Sequence, residues 1–412
     1  MEKYIIFIME NEEILSTLKK WNFWEKDIGT GIRREYYIKK IFTLMDRKEI
    51  LVLKGIRRCG KSTIARQLML ELLKKGVEKK QILYLNLEDY SFANSLNIGL
   101  FDKVLEAYKR YLKNSKKTYF FIDEIQKIES WEKWIRTKYD LEENIKFIVT
   151  GSSASLLSKE FSSLLTGRNL SLTIFPLSFK EFSLFSHKAD LEEYLIFGGF
   201  PEVVLEKSEE KKRTLLQQYF EDIVHKDIID RHNIRNAKQV FDLARYLIST
   251  SGSKVSINKL SKVFGVAKDT ISLYLGYMIE AFLLFEVTYF SYSAKVKHDV
   301  SKLPKIYSLD SGFINITNFK YVKERGRMFE NTVLLKLLEK YKEISYWSEL
   351  NSEVDFIAEK IAINVTSTDK IPAREFKGLE DFNKKFRKFD SFVISDSLKK
   401  GNIIPIREFL QQ

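Results

Sequence analysis

The stretch from residue 51 to residue 63, LVLKGIRRCGKST, restricts the possible folds more than any other part of the chain. Gly55, Gly60, Lys61 and Ser62 match the pattern G-x-x-x-x-G-K-[ST]. The residues before the pattern predict a buried strand, and apolar residues at helical spacing after it predict a helix. Because strand, glycine-containing loop and helix follow one another directly, the stretch predicts a P-loop that binds nucleotide phosphates.

Each part of the predicted loop has a role in binding ATP or ADP with Mg²⁺. The backbone N–H groups of the loop face the phosphate oxygens, and the N-terminus of the following helix favours the anion. Lys61 is expected to reach the β- and γ-phosphates, and the Ser62 hydroxyl to bind Mg²⁺. The predicted nucleotide-binding residues are Gly55, Ile56, Arg57, Arg58, Cys59, Gly60, Lys61, Ser62 and Thr63. The alternative is a glycine-containing turn with an incidental lysine.

A second apolar run, residues 118–122, ends in the acidic pair Asp123 and Glu124. Ligands of open α/β sheets bind at the carboxyl ends of the strands, where this pair would lie. Asp123 is therefore predicted to hold Mg²⁺, and Glu124 to act as the base that polarises the attacking water. The alternative is an exposed acidic pair at the start of a helix.

Short apolar runs alternate with helical patterns from residue 50 to residue 175, and this alternation predicts an α/β fold with a parallel sheet. One run, residues 145–149, leads into Thr150-Gly151-Ser152-Ser153. An added strand between those of the P-loop and of the acidic pair is typical of ATPases that use a catalytic glutamate. The small polar residues at this strand end, Ser152 among them, are predicted to lie beside the γ-phosphate and to sense its loss. The alternative is that Ser152 and Ser153 only cap the next helix, and both roles could hold.

Composition adds broad limits. A chain of 412 residues predicts roughly two to four domains, and 44% hydrophobic with 30% charged residues indicates packed globular structure. The net charge of +13 favours a polyanionic partner, but a lysine-rich proteome would give the same charge. Cys59 is the only cysteine, which excludes an intramolecular disulfide. Without a signal peptide or about 18 consecutive apolar residues, a cytoplasmic protein away from membranes is expected.

A series of short motifs resembles those of the archaeal and bacterial AAA+/STAND-type ATPases. The motifs are 55–62 (GIRRCGKS), 121–126 (FIDEIQ), 150–153 (TGSS), 165–168 (LTGR), 176–179 (PLSF) and 197–201 (FGGFP). In these proteins an ATPase core precedes a winged helix and a restriction-endonuclease-like domain. The resemblance covers nearly the whole chain and implies Mg²⁺-dependent ATP hydrolysis by a switch or a DNA-associated ATPase. The alternative is a nucleotide-holding scaffold that binds DNA or a partner protein without hydrolysis.

The resemblance also implies two site residues away from the P-loop. Arg168 is predicted to contact phosphates or to act across subunits of an oligomer as a finger, and a surface arginine is the alternative. Gly199-Phe200-Pro201 is similar to the G-x-P element of STAND ATPases, in which the proline packs on the adenine. An ordinary helix-ending turn is the alternative for this element. Residues 30–37, which lead into the helix before the P-loop, are a further candidate for covering the adenine.

The domain organisation follows from the same resemblance and from changes in pattern along the chain. We expect an ATPase core at 1–189, a helical lid at 190–235, a winged helix at 236–318 and a PD-(D/E)XK-like domain at 319–412.

Residues 256–275 predict helix, glycine turn and helix, the core of a DNA-binding motif. The second helix is expected to expose Lys268, Asp269, Ser272 and Tyr274. Because a DNA-reading helix usually carries more Arg, Lys or Asn, DNA binding competes with a role in packing or in binding a partner protein.

The last domain resembles a PD-(D/E)XK nuclease core through Glu330 and Asp355. Metal-dependent phosphodiester cleavage needs carboxylates for Mg²⁺ and a lysine that assists the attacking water. The E-x-K position reads Asn364-Val365-Thr366, so one carboxylate and the lysine are missing. We therefore predict a nuclease fold without nuclease activity, in which Glu330, Glu353 and Asp355 bind a metal weakly at best.

Overall fold

The computed structural model describes residues 10–113, 116–141, 144–151, 165–297, 299, 301–317 and 321–412. The chain divides into two compact units. The first comprises Met1–Gly55 with Gly60–Ile174, and the second comprises Ile56–Cys59 with Phe175–Gln412. The finer division into core, lid, winged helix and C-terminal domain stays a prediction. Among helices in the described ranges, none combines the length and apolar character needed to cross a bilayer.

The first unit contains a five-stranded parallel sheet, as the alternation of strands and helices predicts. Its strands are β1 (Ile50–Lys54), β2 (Ile82–Asn86), β3 (Thr118–Asp123), β4 (Ile145–Gly151) and β5 (Asn169–Thr173). Its described helices are α1 (Asn11–Trp21), α2 (Glu35–Phe42), α3 (Lys61–Lys74), α4 (Gly99–Leu112) and α5 (Trp131–Leu141), with 3₁₀ turns at Lys79–Gln81, Tyr90–Phe92 and Ile125–Lys127. The strand order is β2-β3-β4-β1-β5. The predicted added strand, β4, therefore lies between the P-loop strand and the strand of the acidic pair.

A buried lysine fixes the chain where it enters β1. Lys146 of β4 is 1% exposed, and its ammonium donates to the carbonyl oxygens of Arg47 (2.6 Å), Glu49 (2.5 Å) and Leu44 (3.3 Å). Burial lowers the pKa of Lys146 to about 8. The three carbonyl acceptors satisfy the ammonium and hold the turn that leads into the P-loop strand.

The second unit is built on an eight-stranded mixed sheet. Its strands are β6 (Ser253–Lys254), β7 (Leu284–Tyr289), β8 (Lys305–Ser308), β9 (Ser345–Glu349), β10 (Ser352–Ala358), β11 (Ile361–Val365), β12 (Asp390–Ser395) and β13 (Ile403–Pro405). The order is β13-β12-β11-β10-β9-β7-β8-β6. Since β7 pairs in parallel with β9 through Thr288↔Ser345, one sheet runs across the domain boundary predicted at residue 318.

Some helices of the second unit precede the first strand of this sheet in the sequence, and the others lie between its strands or follow the last one. They are α6 (Phe179–Phe185), α7 (Leu191–Phe197), α8 (Pro201–Leu205), α9 (Glu209–Asp222), a π-helix (Ile223–Ile229), α10 (Ala237–Ser249), α11 (Ile257–Phe264), α12 (Lys268–Glu280), α13 (Ala294–Lys297), α14 (Ser311–Thr317), α15 (Tyr321–Lys340), α16 (Ala373–Lys385) and α17 (Ile406–Gln411). The predicted helix, glycine turn and helix correspond to α11, Gly265 in the left-handed region at φ +63°, and α12. Strand β6 precedes this pair, and the antiparallel strands β7 and β8 follow it.

The exposed face of α12 differs from the expectation at one position. Three of the four side chains for which exposure is predicted are exposed, namely Lys268, Asp269 and Ser272. Tyr274, however, is only 8% exposed, and Leu273 is exposed in its place. The reason is the helical period, because Tyr274 lies three residues after the buried Ile271 and four before the buried Met278.

A buried carboxylate fixes the glycine pair at the end of α7. Gly198 has φ +70° and ψ −159°, a region that is essentially restricted to glycine. A Cβ atom at Gly198 would lie 1.6 Å from Oδ1 of Asp310. The Asp310 carboxylate accepts the N–H groups of Gly199 and Gly312, each at 2.8 Å, and burial raises its pKa to about 6. The segment after α7 is thereby joined to the end of β8.

This contact predicts unequal effects of two glycine substitutions. Gly198→Ala should lower the free energy of unfolding by about 3 kcal/mol or more, because it adds a clash with a pinned carboxylate to backbone strain. Gly265→Ala should cost only ~1 kcal/mol, since Gly265 also has positive φ but has open space where its Cβ would lie. Urea unfolding followed by far-UV circular dichroism compares the two variants. Equal losses would show that Asp310 moves aside freely.

Candidate active site

The predicted P-loop forms the turn between β1 and α3. Gly60 adopts φ +98° as the residue before the helix, and Arg58 adopts φ +69°. The N–H of Cys59 donates to the carbonyl oxygen of Ile56 at 3.4 Å, so the chain curls back on itself. The first N–H groups of α3 have no partner within the helix by geometry, and the helix dipole adds positive potential at this end. The loop and helix start can therefore bind an anion.

Lys61, the first residue of α3, has its ammonium inside the mouth of this loop. Its side chain is 3% exposed, and Nζ donates to the carbonyl oxygen of Gly55 at 3.2 Å. The same Nζ lies 3.8 Å from Oε1 of Glu124. The two residues predicted to bind phosphate and to activate water are thus brought together.

Asp123, the last residue of β3, accepts hydrogen bonds from hydroxyl groups of three other elements. Its Oδ2 accepts the hydroxyl of Tyr84 at 2.7 Å, its Oδ1 accepts the hydroxyl of Thr150, and the Ser62 hydroxyl also bonds to it. Burial raises the pKa of Asp123, the charge of Glu124 adds to this, and the three hydroxyl donors oppose it. The predicted pair of Mg²⁺ ligands, Ser62 and Asp123, is therefore in direct contact.

The oxygen donors fit Mg²⁺ bound together with a nucleotide. The described ranges contain no group of three or more His, Cys, Asp or Glu side chains arranged to hold a metal. Mg²⁺ in proteins typically takes one or two carboxylates and completes its shell with water and substrate phosphates. One carboxylate and one hydroxyl beside a phosphate-binding loop match that preference.

Glu124 has an unusual backbone conformation that aims its side chain. It lies in the left-handed region at φ +55° directly after β3, a strained position for a residue other than glycine. Its N–H donates to the Thr150 hydroxyl oxygen at 3.1 Å. Gln126 donates an amide N–H to Oε2 of Glu124, while Oε1 faces Lys61. One carboxylate oxygen is therefore held and the other faces the loop.

Three of the residues around the acidic pair are not among the predicted site residues. Tyr84 lies in an apolar run that predicts only core, and a hydroxyl is the one signal it carries. Gln126 belongs to the motif FIDEIQ without a predicted role of its own, and Thr150 belongs to the strand end whose small polar residues are predicted to lie beside the γ-phosphate. The contacts of Tyr84 and Thr150 with Asp123 depend on how β2, β3 and β4 align, which the sequence of one strand does not reveal. The contact of Gln126 with Glu124 is local, between residues two positions apart.

The segment before the P-loop is fastened to α3. Gln67 donates to the carbonyl oxygens of Thr30 and Ile32, both at 2.8 Å, and accepts the N–H of Arg34 at 3.1 Å. A Cβ atom at Gly31 would lie 3.5 Å from the methyl group of Thr63. The candidate adenine segment thus lies against the first turn of the P-loop helix.

Arg168 and Lys61 are not brought together. The carbonyl oxygen of Arg168 accepts the N–H of Ile50, at the start of β1, and its Nε lies 3.1 Å from Oδ1 of Asp140. The P-loop follows the opposite end of this five-residue strand, roughly 16 Å away at strand rise. Contact between Arg168 and phosphates held by the same loop is not supported, and a role across subunits stays a prediction.

Two other predicted residues stay untested. Ser152 lies outside the described residues. Pro201 is the first residue of α8, a position that suits proline because its missing N–H would be unsatisfied there. The preceding Phe200 packs on Tyr219 and Phe313 at ring-centroid distances of 5.5 and 5.1 Å. These contacts match the turn alternative, and contact of Pro201 with adenine remains a prediction.

The side chains of Arg57 and Arg58 form ion pairs with carboxylates of the second unit, to which Ile56–Cys59 belong. The Arg57 guanidinium makes two 3.1 Å hydrogen bonds to the Asp227 carboxylate, whose side chain is 5% exposed. Arg58 lies 3.6 Å from Glu202. Any phosphate contact from these loop residues is therefore expected from their backbone N–H groups.

A second cluster surrounds Lys305 of β8. Its ammonium lies 2.7 Å from Oε1 of Glu353, 3.1 Å from Oδ1 of Asp355 and 3.4 Å from Oε1 of Glu330, and its side chain is 4% exposed. Burial alone would lower the pKa of Lys305, but the surrounding negative charges outweigh burial and raise it. The three carboxylates predicted to bind metal weakly are therefore brought together, but around an internal cation.

Asn364, at the position of the missing nuclease carboxylate, has a structural role. It is 1% exposed. Its amide oxygen accepts the N–H of Asp355 at 2.9 Å, and its amide nitrogen donates to the carbonyl oxygens of Glu353 (3.1 Å) and Glu375 (2.9 Å). The side chain thus joins β10, β11 and α16, and as a neutral amide it does not supply the charge of the missing carboxylate.

The Lys305 cluster predicts a strong effect on stability. Lys305→Met should lower the free energy of unfolding by about 3–5 kcal/mol, because it leaves buried carboxylates without their cation. Lys254→Met is the matched control, since Lys254 also contacts Glu353, at 3.1 Å, but is 37% exposed. The control should cost less than ~1 kcal/mol. Urea unfolding measures both, and a similar small loss for both variants would contradict the structural role of Lys305.

Comparison with known families assigns the P-loop region and divides the rest of the chain. Residues 47–183 match the model of an AAA domain. Residues 188–321 match a domain of unknown function (DUF8612), and residues 325–409 match a second one (DUF4143). The matched AAA domain contains Lys61, Ser62, Asp123 and Glu124.

Two solved structures align with most of the chain at low similarity. One is Aeropyrum pernix ORC1 in complex with DNA, with 12% identity, a TM-score of 0.33, and coverage of 76% of this chain and 98% of that one. The other is a point variant of Thermotoga maritima RuvB, with 18% identity, a TM-score of 0.34, and coverage of 62% and 90%. Both TM-scores are too low to support a conclusion about this chain.

Two sequence relatives are similar over most of their length. The Methanocaldococcus jannaschii protein MJ1544 is 33% identical over 386 residues, which cover 87% of this chain and 80% of that protein. A Haemophilus influenzae protein is 31% identical over 343 residues, which cover 80% and 84%. Both carry the description uncharacterized. The chain belongs to the same family as these two proteins, and residues 47–183 form its AAA domain.

Proposed function

We propose that this protein is an Mg²⁺-dependent ATPase that acts as an ATP-driven switch. One observation carries the proposal: Lys61, Ser62, Asp123 and Glu124 converge at the carboxyl ends of β1 and β3. The AAA domain matched over residues 47–183 supports nucleotide binding at this place. A scaffold that binds the nucleotide without hydrolysing it is the alternative.

The chain's own residues divide the work of binding. The loop N–H groups and the Lys61 ammonium bind the phosphates. Ser62 and Asp123 would hold Mg²⁺, which neutralises charge on the phosphate oxygens when it is bound. The hydroxyls of Tyr84 and Thr150 keep the Asp123 carboxylate in a single orientation. These hydrogen bonds set the direction in which the carboxylate faces.

Glu124 is the proposed base. Gln126 holds one of its oxygens, and the other, which faces Lys61, is the one proposed to polarise a water molecule beside the γ-phosphate. Lys61 lies 3.8 Å from that second oxygen and has phosphate as its proposed partner in the complex. A shift of the ammonium toward phosphate would release Glu124 to polarise water. The protein thus couples nucleotide binding to exposure of the base.

Glu124→Gln should separate binding from hydrolysis. Phosphate release should slow about 100-fold or more, because the amide cannot accept a proton from the attacking water. ATP binding should persist, because other groups bind the phosphates. Lys61→Ala should lose ATP binding itself. A fluorescent ATP analogue measures binding, and phosphate release measures hydrolysis, with Glu129→Gln, an exposed acid five residues on, as control. An unchanged hydrolysis rate in Glu124→Gln would rule out Glu124 as the base, whereas an unmodified chain that binds ATP without releasing phosphate would support the scaffold.

Gln126 provides a test of how Glu124 is oriented. Gln126→Ala should lower kcat about tenfold with little change in KM, because one orienting hydrogen bond of roughly 1.4 kcal/mol is lost. Gln126→Glu places a like charge beside Glu124 and should raise its pKa. The acid limb of the kcat profile should then move to higher pH. A pH profile identical to that of the unmodified protein would exclude contact between these two side chains during turnover.

A second function, nucleic-acid binding, is favoured by the topology of the second unit. The order β6, α11, α12, β7 and β8, with the three strands in one antiparallel ladder, supports a winged helix at residues 236–318. In that arrangement the described residues between β7 and β8, 290–297, 299 and 301–304, belong to the wing. Binding of DNA or a partner protein through this region stays a proposal, as do oligomer formation and a cytoplasmic location.

A further inference from the structure

Basic residues gather where the wing meets the end of α16. The group, named the basic patch, consists of Lys384, Lys385, Arg387 and Lys388 at the end of α16 together with Tyr292 and Lys295 of the wing. All six side chains are exposed. Two regions nearly 90 residues apart in sequence therefore contribute to one surface.

The aromatic residues between these charges hold the patch together. Phe386 and Phe389 pack on Phe290 of the wing at ring-centroid distances of 5.2 and 5.7 Å. The ring of Tyr292 lies edge-on to Phe386 at 5.7 Å and to Phe290 at 5.3 Å, yet Tyr292 is 74% exposed. The ring is held in place from below while most of its surface faces solvent.

Not all the positive charge of the patch is neutralised within the protein. Lys384 lies 3.2 Å from Asp381, and Lys385 forms an ion pair with Glu349. In the described part of the chain, Arg387 and Lys388 form no ion pair. Their charges remain available to a ligand, and both lie next to Phe386 or Phe389 in sequence.

Helix α12 offers a less suitable surface to a polyanion. Its exposed side carries Asp269 and Glu280 against a single Lys268. A depression of about 330 Å³ on that side is lined by Asp269, Ser272, Leu273, Gly276, Tyr277 and Glu280. Carboxylates on such a face repel phosphates, so α12 lacks the charge that duplex binding in a groove requires.

We propose that the basic patch binds single-stranded nucleic acid. Arg387, Lys388 and Lys295 would contact phosphates, and an unpaired base would stack on the exposed ring of Tyr292. Stacking on an aromatic ring needs a base that is free of its pair, which favours single strands over duplex. The binding needs no nucleotide at the P-loop, so it holds whether or not the protein hydrolyses ATP.

The test measures fluorescence anisotropy of a labelled 20-nucleotide single strand with the full chain, in EDTA and without ATP, over a salt series. Arg387→Ala combined with Lys388→Ala should weaken binding and reduce the slope of log K against log salt by about 1.4, from about 0.7 for each lost phosphate contact. Tyr292→Ala should weaken binding about tenfold, whereas Tyr292→Phe should retain it. Far-UV circular dichroism and thermal unfolding check that each variant is folded.

One lysine outside the patch serves as a charge-matched control. Lys399 is 69% exposed and lies beyond the opposite end of β12. Lys399→Ala should not change the affinity. The proposal is overturned if the unmodified chain does not bind at about 50 mM salt, if Lys399→Ala weakens binding as much as the patch variants, or if duplex binds as tightly and Tyr292→Ala has no effect.

Discussion

The buried carboxylate of Asp123 is the interaction on which the candidate active site depends. It accepts hydroxyls from β2, from the end of β4 and from the first turn of α3, so one side chain joins three elements around β3. Burial raises the pKa of Asp123, and the three donors stabilise the charged form against that cost. Since the Thr150 hydroxyl also accepts the N–H of Glu124, the same contact sets the strained backbone that aims the proposed base.

The parts of the site that lie close in sequence were predictable, and those assembled across strands were not. The P-loop, the acidic pair and the added strand β4 follow from local patterns, and the sheet order confirms the added strand. Tyr84 could not be assigned, because a tyrosine in an apolar strand predicts core unless the register with β3 is known. Lys305 is a similar case, because its partners Glu330 and Asp355 lie 25 and 50 residues later in the sequence.

Lys61 and Lys305 are both buried lysines that meet carboxylates, and the difference between them bears on function. Nζ of Lys61 lies 3.8 Å from a carboxylate oxygen of Glu124 and 3.2 Å from a backbone carbonyl oxygen, and phosphate oxygens could replace these two contacts. Lys305 has three carboxylates within 3.4 Å, which leaves its ammonium fully surrounded. A divalent ion in that cluster would have to displace a buried ammonium. The geometry thus favours a Lys61 ammonium that can change partners in the AAA domain and a Lys305 ammonium that keeps its partners in the C-terminal region.

The eight-stranded sheet makes the two regions of unknown function structurally dependent on each other. Residues 188–321 and 325–409 match separate family models, yet β7 of one pairs with β9 of the other. Just beyond β7, Phe290 packs against the aromatic side chains at and after the end of α16. Without residues 325–409, Phe290 would lose its ring contacts with Phe386 and Phe389, and the exposed ring of Tyr292 would lose its contact with Phe386. A surface of this kind therefore belongs to the joined unit, and the sequence of either region alone does not reveal it.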